Sequence, residues 1–371
     1  MENVDHLVIG GGVMGSAAAW QLARRGRSVV LLERFAPGHT QGASHGASRI
    51  YRQTYDRAEY LDLTIEALGL WRELERTTAT DLLTLTGGVS HGAPAPSLLA
   101  AFAARGIPHE VLTPAEASER WSGLRFEGSV LHETQTAGRL HADRAVAALQ
   151  SAALLAGAEV RHGVRVLDLV VGSDGVLVQT TDGPIRARRV VLAAGAWTGS
   201  LLGRPVPLVV TQEQPAHFAL AYPAEWPSFT HQILGVHPYP SGTYGLLTPG
   251  EGIKVGFHAV GPVTDPDHRS FTPEPNQLAL LQRYAEQWMP GVDPGTPNPI
   301  SCTYTTTPDH DFILDRRGPL VVAAGFSGHG FKFGPAIGRV LADLADEPTD
   351  DPVRASDPAF HLSRPVLQES R

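Results

Sequence analysis

Residues 5–9, Asp-His-Leu-Val-Ile, form a short apolar run that ends abruptly at Gly10, Gly11 and Gly12. An apolar stretch of that length bounded by glycine reads as a buried strand. Residues 16–25 are rich in Ala, Leu and Gln and predict a helix, with Gly26 placed where a helix C-terminus wants a glycine. Residues 28–32 make a second apolar run, and Glu33 closes it. Strand, helix and strand within about 30 residues make a βαβ unit.

Beyond it, Leu63, Ala67, Leu70 and Leu74 recur at helical spacing within residues 61–76. Residues 142–156 predict another helix, and short strands are expected at 159–160, 164–171 and 176–180. Residues 189–192 read as a strand entering a glycine turn at Gly195. Between Pro205 and Pro299 periodicity weakens and Pro and Gly become frequent. Short alternating runs such as residues 252–258 there suit an antiparallel sheet. Residues 319–324 predict a strand, 325–334 a glycine-rich turn and 335–344 a helix. The Pro- and Asp-rich stretch after Leu344 reads as a loosely held tail. Nucleotide-type pieces therefore stand at the beginning, middle and end, with a β-rich part woven between them.

The spacing Gly10-x-Gly12-x-x-Gly15 gains meaning from this context. It follows a strand, opens a helix and has an acidic residue, Glu33, 18 positions after Gly15. Glycines there let the backbone approach a pyrophosphate at the helix N-terminus, and Glu33 can accept from a ribose hydroxyl. An acidic residue favours NAD or FAD over NADP. Residues 42–46, Gly-Ala-Ser-His-Gly, also match the nucleophile elbow of serine hydrolases, but that motif needs a strand immediately before it and a loop precedes it here. If Ser48 instead caps a helix, Arg49 and Arg52 fall on one face and suit an anion.

Composition narrows the field. The chain has 371 residues, a formal charge of −8 and 42% apolar residues. It can bury a large core, while a basic face for nucleic acid or an anionic membrane is not expected. No apolar run is long enough for a transmembrane helix and the N-terminus has no basic leader pattern, so a soluble, cytoplasmic protein is expected. One cysteine, Cys302, excludes an internal disulfide framework, and no paired metal-ligand spacing occurs among the 16 histidines. Of 30 basic residues only Lys254 and Lys332 are lysine.

These residues carry a family resemblance that runs nearly end to end. The chain resembles the monomeric sarcosine oxidase and N-methyltryptophan oxidase family of D-amino-acid-oxidase-like flavoproteins. The markers are Gly10–Gly15 with Glu33, Ser44-His45-Gly46 leading to Arg49 and Arg52, Ala193-Ala194-Gly195-Ala196-Trp197, Lys254 followed by Val255-Gly256-Phe257-His258, Cys302-x-Tyr304-Thr305, and the run from Gly325 to Phe333.

The resemblance implies an α/β (α+β) fold. Its Rossmann-like FAD-binding domain is of the p-hydroxybenzoate-hydroxylase type, interwoven with a substrate domain on a mostly antiparallel sheet. Residues 1–80, 142–204 and 302–371 would form the first, and 81–141 with 205–301 the second. It implies FAD joined to Cys302 through an 8α thioether. It further implies FAD contacts at Gly10, Gly12, Val13, Met14, Gly15, Glu33, Arg34, Ser44, Ser48, Arg49, Val166, Gly195, Phe326, Gly328, His329, Gly330 and Lys332.

Arg52 and Lys332 match the cations that hold a substrate carboxylate, and Tyr244 and His258 match residues lining the substrate cavity. Lys254 matches the lysine where oxygen is activated, while Arg49 and His45 match groups near the flavin ring. One departure is Glu213, where the family often has Arg. The implied activity is oxidation of an N-methyl or cyclic secondary amino acid to an imine by a monomeric enzyme, with O2 reduced to H2O2. A dehydrogenase with another electron acceptor and a non-enzymatic dinucleotide-binding protein are the competing readings.

Overall fold

The computed structural model describes residues 1–202, 206–348 and 355–369. Two eight-stranded sheets divide the molecule. In the first, Glu2–Ile9 lies between Gly183–Leu192 and Val29–Glu33, parallel to both, and Glu159–His162 extends the edge. Leu320–Ala324 joins the far half of Gly183–Leu192 in parallel, and Ile313–Arg317 folds back antiparallel on it. The near half of Gly183–Leu192 carries the antiparallel strands Val176–Thr180 and Val166–Val171.

Central strands of such a sheet are apolar on both faces. Val8 packs with the helices Val13–Ala23, Ala58–Thr78, Ala142–Leu155 and Gly334–Asp346, while Leu7 and Ile9 pack on the opposite side with Val176, Val190 and Val322. The expected βαβ unit is present, with its helix starting at Val13.

The second sheet is ordered Asn298–Pro299, Ala216–Phe218, Gly252–Phe257, Thr243–Thr248, Ser228–His231, Gly88–Gly92, Ser129–Glu133, His109–Leu112. Alternation decides its two faces. Ile253, Val255 and Phe257 face a core with Phe218, Phe229 and the helix Pro275–Trp288. Lys254 and, beyond the strand, His258 fall on the opposite side and line a large cavity. The antiparallel reading of residues 252–258 agrees with this arrangement.

Two smaller pairings bracket the cavity. Arg49–Tyr51 pairs with Gly138–Leu140, which also pairs with Leu83–Leu85. Cys302–Thr306 pairs antiparallel with Val209–Glu213. No helix among the described residues is long and apolar enough to cross a membrane. The expected loose tail after Leu344 lies partly outside the described residues, but Leu362 and Leu367 are buried with Leu7 and Ile9, so residues 355–369 are packed against the sheet.

Candidate active site

One continuous cavity of about 1430 Å³ runs between the two sheets, from Glu33 to Lys332. That exceeds the ~300–1,000 Å³ usual for a single small ligand, so it has room for a dinucleotide and a second molecule.

At its first end, the strand Glu2–Ile9 delivers the chain into Gly10 at φ +105°, and a Cβ there would lie 2.4 Å from Ala193 O. Gly15 packs the helix so closely on the strand that a Cβ would lie 1.9 Å from Gly10 O. Gly12 forms the N-cap and offers the first-turn amides no side-chain cap of its own. Ser44 Oγ accepts from Val13 N at 3.1 Å. The loop holding Ser44 is not preceded by a strand, so the elbow motif has no structural counterpart. Glu33 accepts from Gly11 N at 2.7 Å and from Phe35 N at 2.9 Å. Burial alone would raise its carboxyl pKa, but hydrogen bonds from His39, Phe35 and Gly11 outweigh it and hold the group below the usual range.

Arg34 donates to Asp267 at 2.5 Å, and Trp197 Nε1 reaches the same carboxylate at 2.7 Å. A loop of the antiparallel part therefore closes over this end. Val13, Met14, Val166 and Gly195 line the cavity here, while Gly15 stands behind its wall.

At the middle, Cys302 is half-buried and lines the cavity. Its segment, polar as read, forms the first residue of a strand. Arg49 Nη2 lies 3.8 Å from Cys302 Sγ and 3.0 Å from Ala43 O. The expected helix after Ser48 is absent: Arg49–Tyr51 is a strand, because Arg49, Ile50 and Tyr51 pair with Gly138–Leu140. Arg49 and Arg52 reach one cavity because the strand ends between them, not through helical spacing.

Ser48 itself is buried behind the wall, with its Oγ 2.6 Å from Thr248 Oγ1. His45 Nε2 is buried without a partner among the described residues. Burial, aided by Arg49, Arg269 and Lys254, pulls the His45 pKa down to about 3. Lys254 is buried and donates to Ser48 O at 2.5 Å. Burial, with the Arg49 charge, holds it well below an ordinary lysine.

At the far end, Lys332 Nζ donates to His329 O at 2.6 Å and to Tyr55 Oη at 3.0 Å. Arg52 lies 5.0 Å over the Tyr55 ring. Two cations thus flank one tyrosine, and Lys332 is held well below an ordinary lysine by burial and by Arg52. Tyr244 lies within hydrogen-bonding reach of Tyr304, and His258 rests at 5.5 Å against the Tyr304 ring. His258 is neutral, its pKa pulled down to about 4 by burial and by Arg52. Phe326, Gly328, His329 and Gly330 complete this wall.

Sequence reading missed Tyr55, Asp267 and the neighbour of Lys254 in register, His217, and gave Tyr304 no role beyond that of a marker. Tyr55 carried a signal, three positions after Arg52. The others are placed by pairings across tens of residues.

These features fit a dinucleotide: a glycine cradle that no Cβ could enter, an ionised Glu33, a cavity-facing thiol and the orphaned His45 Nε2. Comparison with known proteins agrees. Residues 5–344 match the family described as FAD dependent oxidoreductase. The chain is 35% identical to monomeric sarcosine oxidase of Streptomyces avermitilis, over 98% of this chain and 99% of that one. It is 31% identical to monomeric sarcosine oxidase of Bacillus sp. (strain NS-129), over 98% of each. The structure of NikD, an unusual amino acid oxidase essential for nikkomycin biosynthesis, superposes with a TM-score of 0.85 at 29% identity, covering 97% and 98%. The chain belongs to the FAD dependent oxidoreductase family and, within it, to the group of the sarcosine oxidases.

Proposed function

We propose that the protein oxidises a secondary amino acid, N-methylated or cyclic, to an imine that water hydrolyses, with O2 reduced to H2O2. The observation that carries this reading is the pair Arg52 and Lys332 in the same cavity as Cys302 and Lys254. When bound, FAD would supply the two-electron acceptor: the substrate's C–N unit loses two electrons and two protons in becoming an imine, and two electrons with two protons convert O2 to H2O2.

The chain's own contribution begins with the carboxylate. Lys332, held with a main-chain carbonyl and a tyrosine, can switch its ammonium to an incoming carboxylate, and Arg52 can meet the same anion from the other side of Tyr55. Fixing the carboxylate orients the carbon to be oxidised. His258 is neutral above about pH 4 and adds no competing charge beside it. Tyr244 and Tyr304 form the roof of this space, both kept protonated by burial.

On the oxygen side, Lys254 in its protonated form supplies a compact cation for negative charge developing on O2, and the neighbouring Arg49 charge, with burial, opposes that protonation until an anion develops. Arg49 Nη2 stands 3.8 Å from Cys302 Sγ, the sulfur that would carry a thioether to the flavin 8α-methyl group. Glu33 and the Gly10–Gly15 turn would hold the ribose and pyrophosphate. The names of the Streptomyces and Bacillus relatives support a monomer.

We also propose a discontinuous FAD domain of residues 1–80, 142–204 and 302–371, and a substrate domain of 81–141 and 205–301. The boundary at 204–205 lies outside the described residues.

The test is hydrogen peroxide release by the holoenzyme on sarcosine, other N-methyl amino acids, proline and pipecolate. Peroxide stoichiometric with amine consumed supports the oxidase. Rapid anaerobic bleaching followed by slow recovery in air assigns a dehydrogenase instead. A flavin spectrum unmoved by every amine overturns both.

A further inference from the structure

Residues 52–57, between the strand Arg49–Tyr51 and the helix Ala58–Thr78, belong to no sheet or helix. Buried main-chain groups in such a stretch must find partners elsewhere, and one distant acid supplies them. Glu133, the last residue of Ser129–Glu133, accepts from Gln53 N with both oxygens, at 2.9 and 3.0 Å, and from Thr54 Oγ1 at 3.1 Å. Thr136 Oγ1 donates to it at 2.7 Å. Tyr55 N closes the turn by donating to Gln53 O at 2.8 Å.

Glu133 is 1% exposed and stands behind the cavity wall, not on it. Burial raises its carboxyl pKa, against the hydrogen bonds from Thr136, Gln53 and Thr54 and the Arg52 charge. An acid so deep is costly unless its oxygens are satisfied, and this one is satisfied chiefly by the turn that follows Arg52.

The turn passes the restraint to Arg52. Arg52 Nη1 donates to Thr54 O at 2.5 Å, so the residue whose hydroxyl Glu133 holds presents its carbonyl to the guanidinium. Arg52 also lies over the Tyr55 ring. Aimed by a carbonyl, the guanidinium keeps its other N–H groups for an anion. Tyr55 is anchored separately, by the rings of Tyr60 and Phe333 at 5.4 and 5.3 Å and by His329 Nδ1 at 3.2 Å. Loosening the turn therefore falls on Arg52 and spares Tyr55 with its Lys332 contact.

We infer that Glu133 is a positioning residue for substrate binding: it holds the turn at Gln53 and Thr54 and, through Thr54 O, sets the direction of Arg52. This rests on the proposed role of Arg52 as a carboxylate anchor, and the experiment separates the two.

Holoenzyme and variants are titrated with propionate and propionamide, ligands of the same size that differ in charge. Native protein is expected to prefer propionate, and Arg52→Met to lose most of that preference. Glu133→Gln is expected to weaken propionate about three- to tenfold, the factor of one net hydrogen bond, and to leave propionamide within about twofold. In an Arg52→Met background the same substitution is expected to move neither ligand. A merely structural role would weaken both ligands and persist in that background. Thr54→Val, which removes the hydroxyl and keeps the carbonyl, should repeat the loss, and Thr54→Ser should spare it. These two variants carry the test if Glu133→Gln does not fold.

Equal native affinities for the two ligands overturn the role of Arg52 and this inference with it. A native preference that Arg52→Met removes, but that Glu133→Gln and Thr54→Val leave intact, overturns the inference alone. So does a loss that survives in the Arg52→Met background.

Discussion

Lys254 Nζ lies 2.5 Å from the main-chain oxygen of Ser48, so a buried ammonium is held by a carbonyl and not by a carboxylate. A carboxylate would neutralise it, whereas a carbonyl orients it and leaves its charge available. Ser48 is itself pinned through Thr248 Oγ1, which also meets His217 Nε2 at 3.0 Å. Lys254→Met is therefore expected to slow flavin reoxidation by about 10²–10³-fold, the scale of losing one preorganised charge-stabilising group. Anaerobic reduction by amine should stay near the native rate. Stopped-flow traces of the two half-reactions decide it, and equal losses in both would refute the assignment.

The thiol makes a second prediction. Acid-precipitated native protein is expected to stay yellow, while Cys302→Ser should release its flavin into the supernatant. A colourless native pellet removes the thioether from the reading.

Substrate affinity should depend on pH through Lys332. Burial and Arg52 lower its pKa, so the ammonium that a carboxylate needs is fully present only below that lowered value. Binding of a carboxylate is expected to weaken as pH rises through it, well before the pH near 10.4 at which an ordinary lysine deprotonates. Lys332→Met should raise KM by about 10- to 100-fold at neutral pH, the range for a charge-assisted hydrogen bond, and flatten this alkaline limb. KM measured from pH 6 to 10 on both proteins tests the sign.

Glu213 predicts a stability effect. It pairs in register with Cys302, accepts from Thr211 and from the amides of Val260 and Gly261, and is buried. Burial raises its pKa against those hydrogen bonds. A raised folded-state pKa gives stability that is full below the unfolded value and lost as pH rises through the folded one. Glu213→Gln keeps one of the two acceptor oxygens and removes the titration. Its apparent Tm is expected to match the native protein at low pH and exceed it by about 2–4 °C above neutrality. A variant less stable at every pH would mean that the amides require the charge.

What could be read from the chain divides by distance along it. The Gly10–Gly15 turn and Glu33 belong to one unit, so their pattern carries their geometry. Lys254 and His258 could be read because alternation alone puts them opposite Ile253, Val255 and Phe257. Ser48 could not: its dipeptide context permits a helix cap, and only pairing with Gly138–Leu140 decides for a strand. Tyr55 beside Lys332, and Ser90 beside Thr230, meet through contacts 277 and 140 residues apart. No local preference encodes those meetings.

The first sheet also fixes an order in time. Glu2–Ile9 is flanked by Gly183–Leu192, which in turn receives Leu320–Ala324. Pairings of such sequence separation form late and slowly. While the chain is being synthesised, the Gly10–Gly15 turn exists long before Ala193 closes over it and before Cys302 and Lys332 have emerged. A cavity lined by both Gly10 and Lys332 is thus complete only once nearly the whole polypeptide has been synthesised.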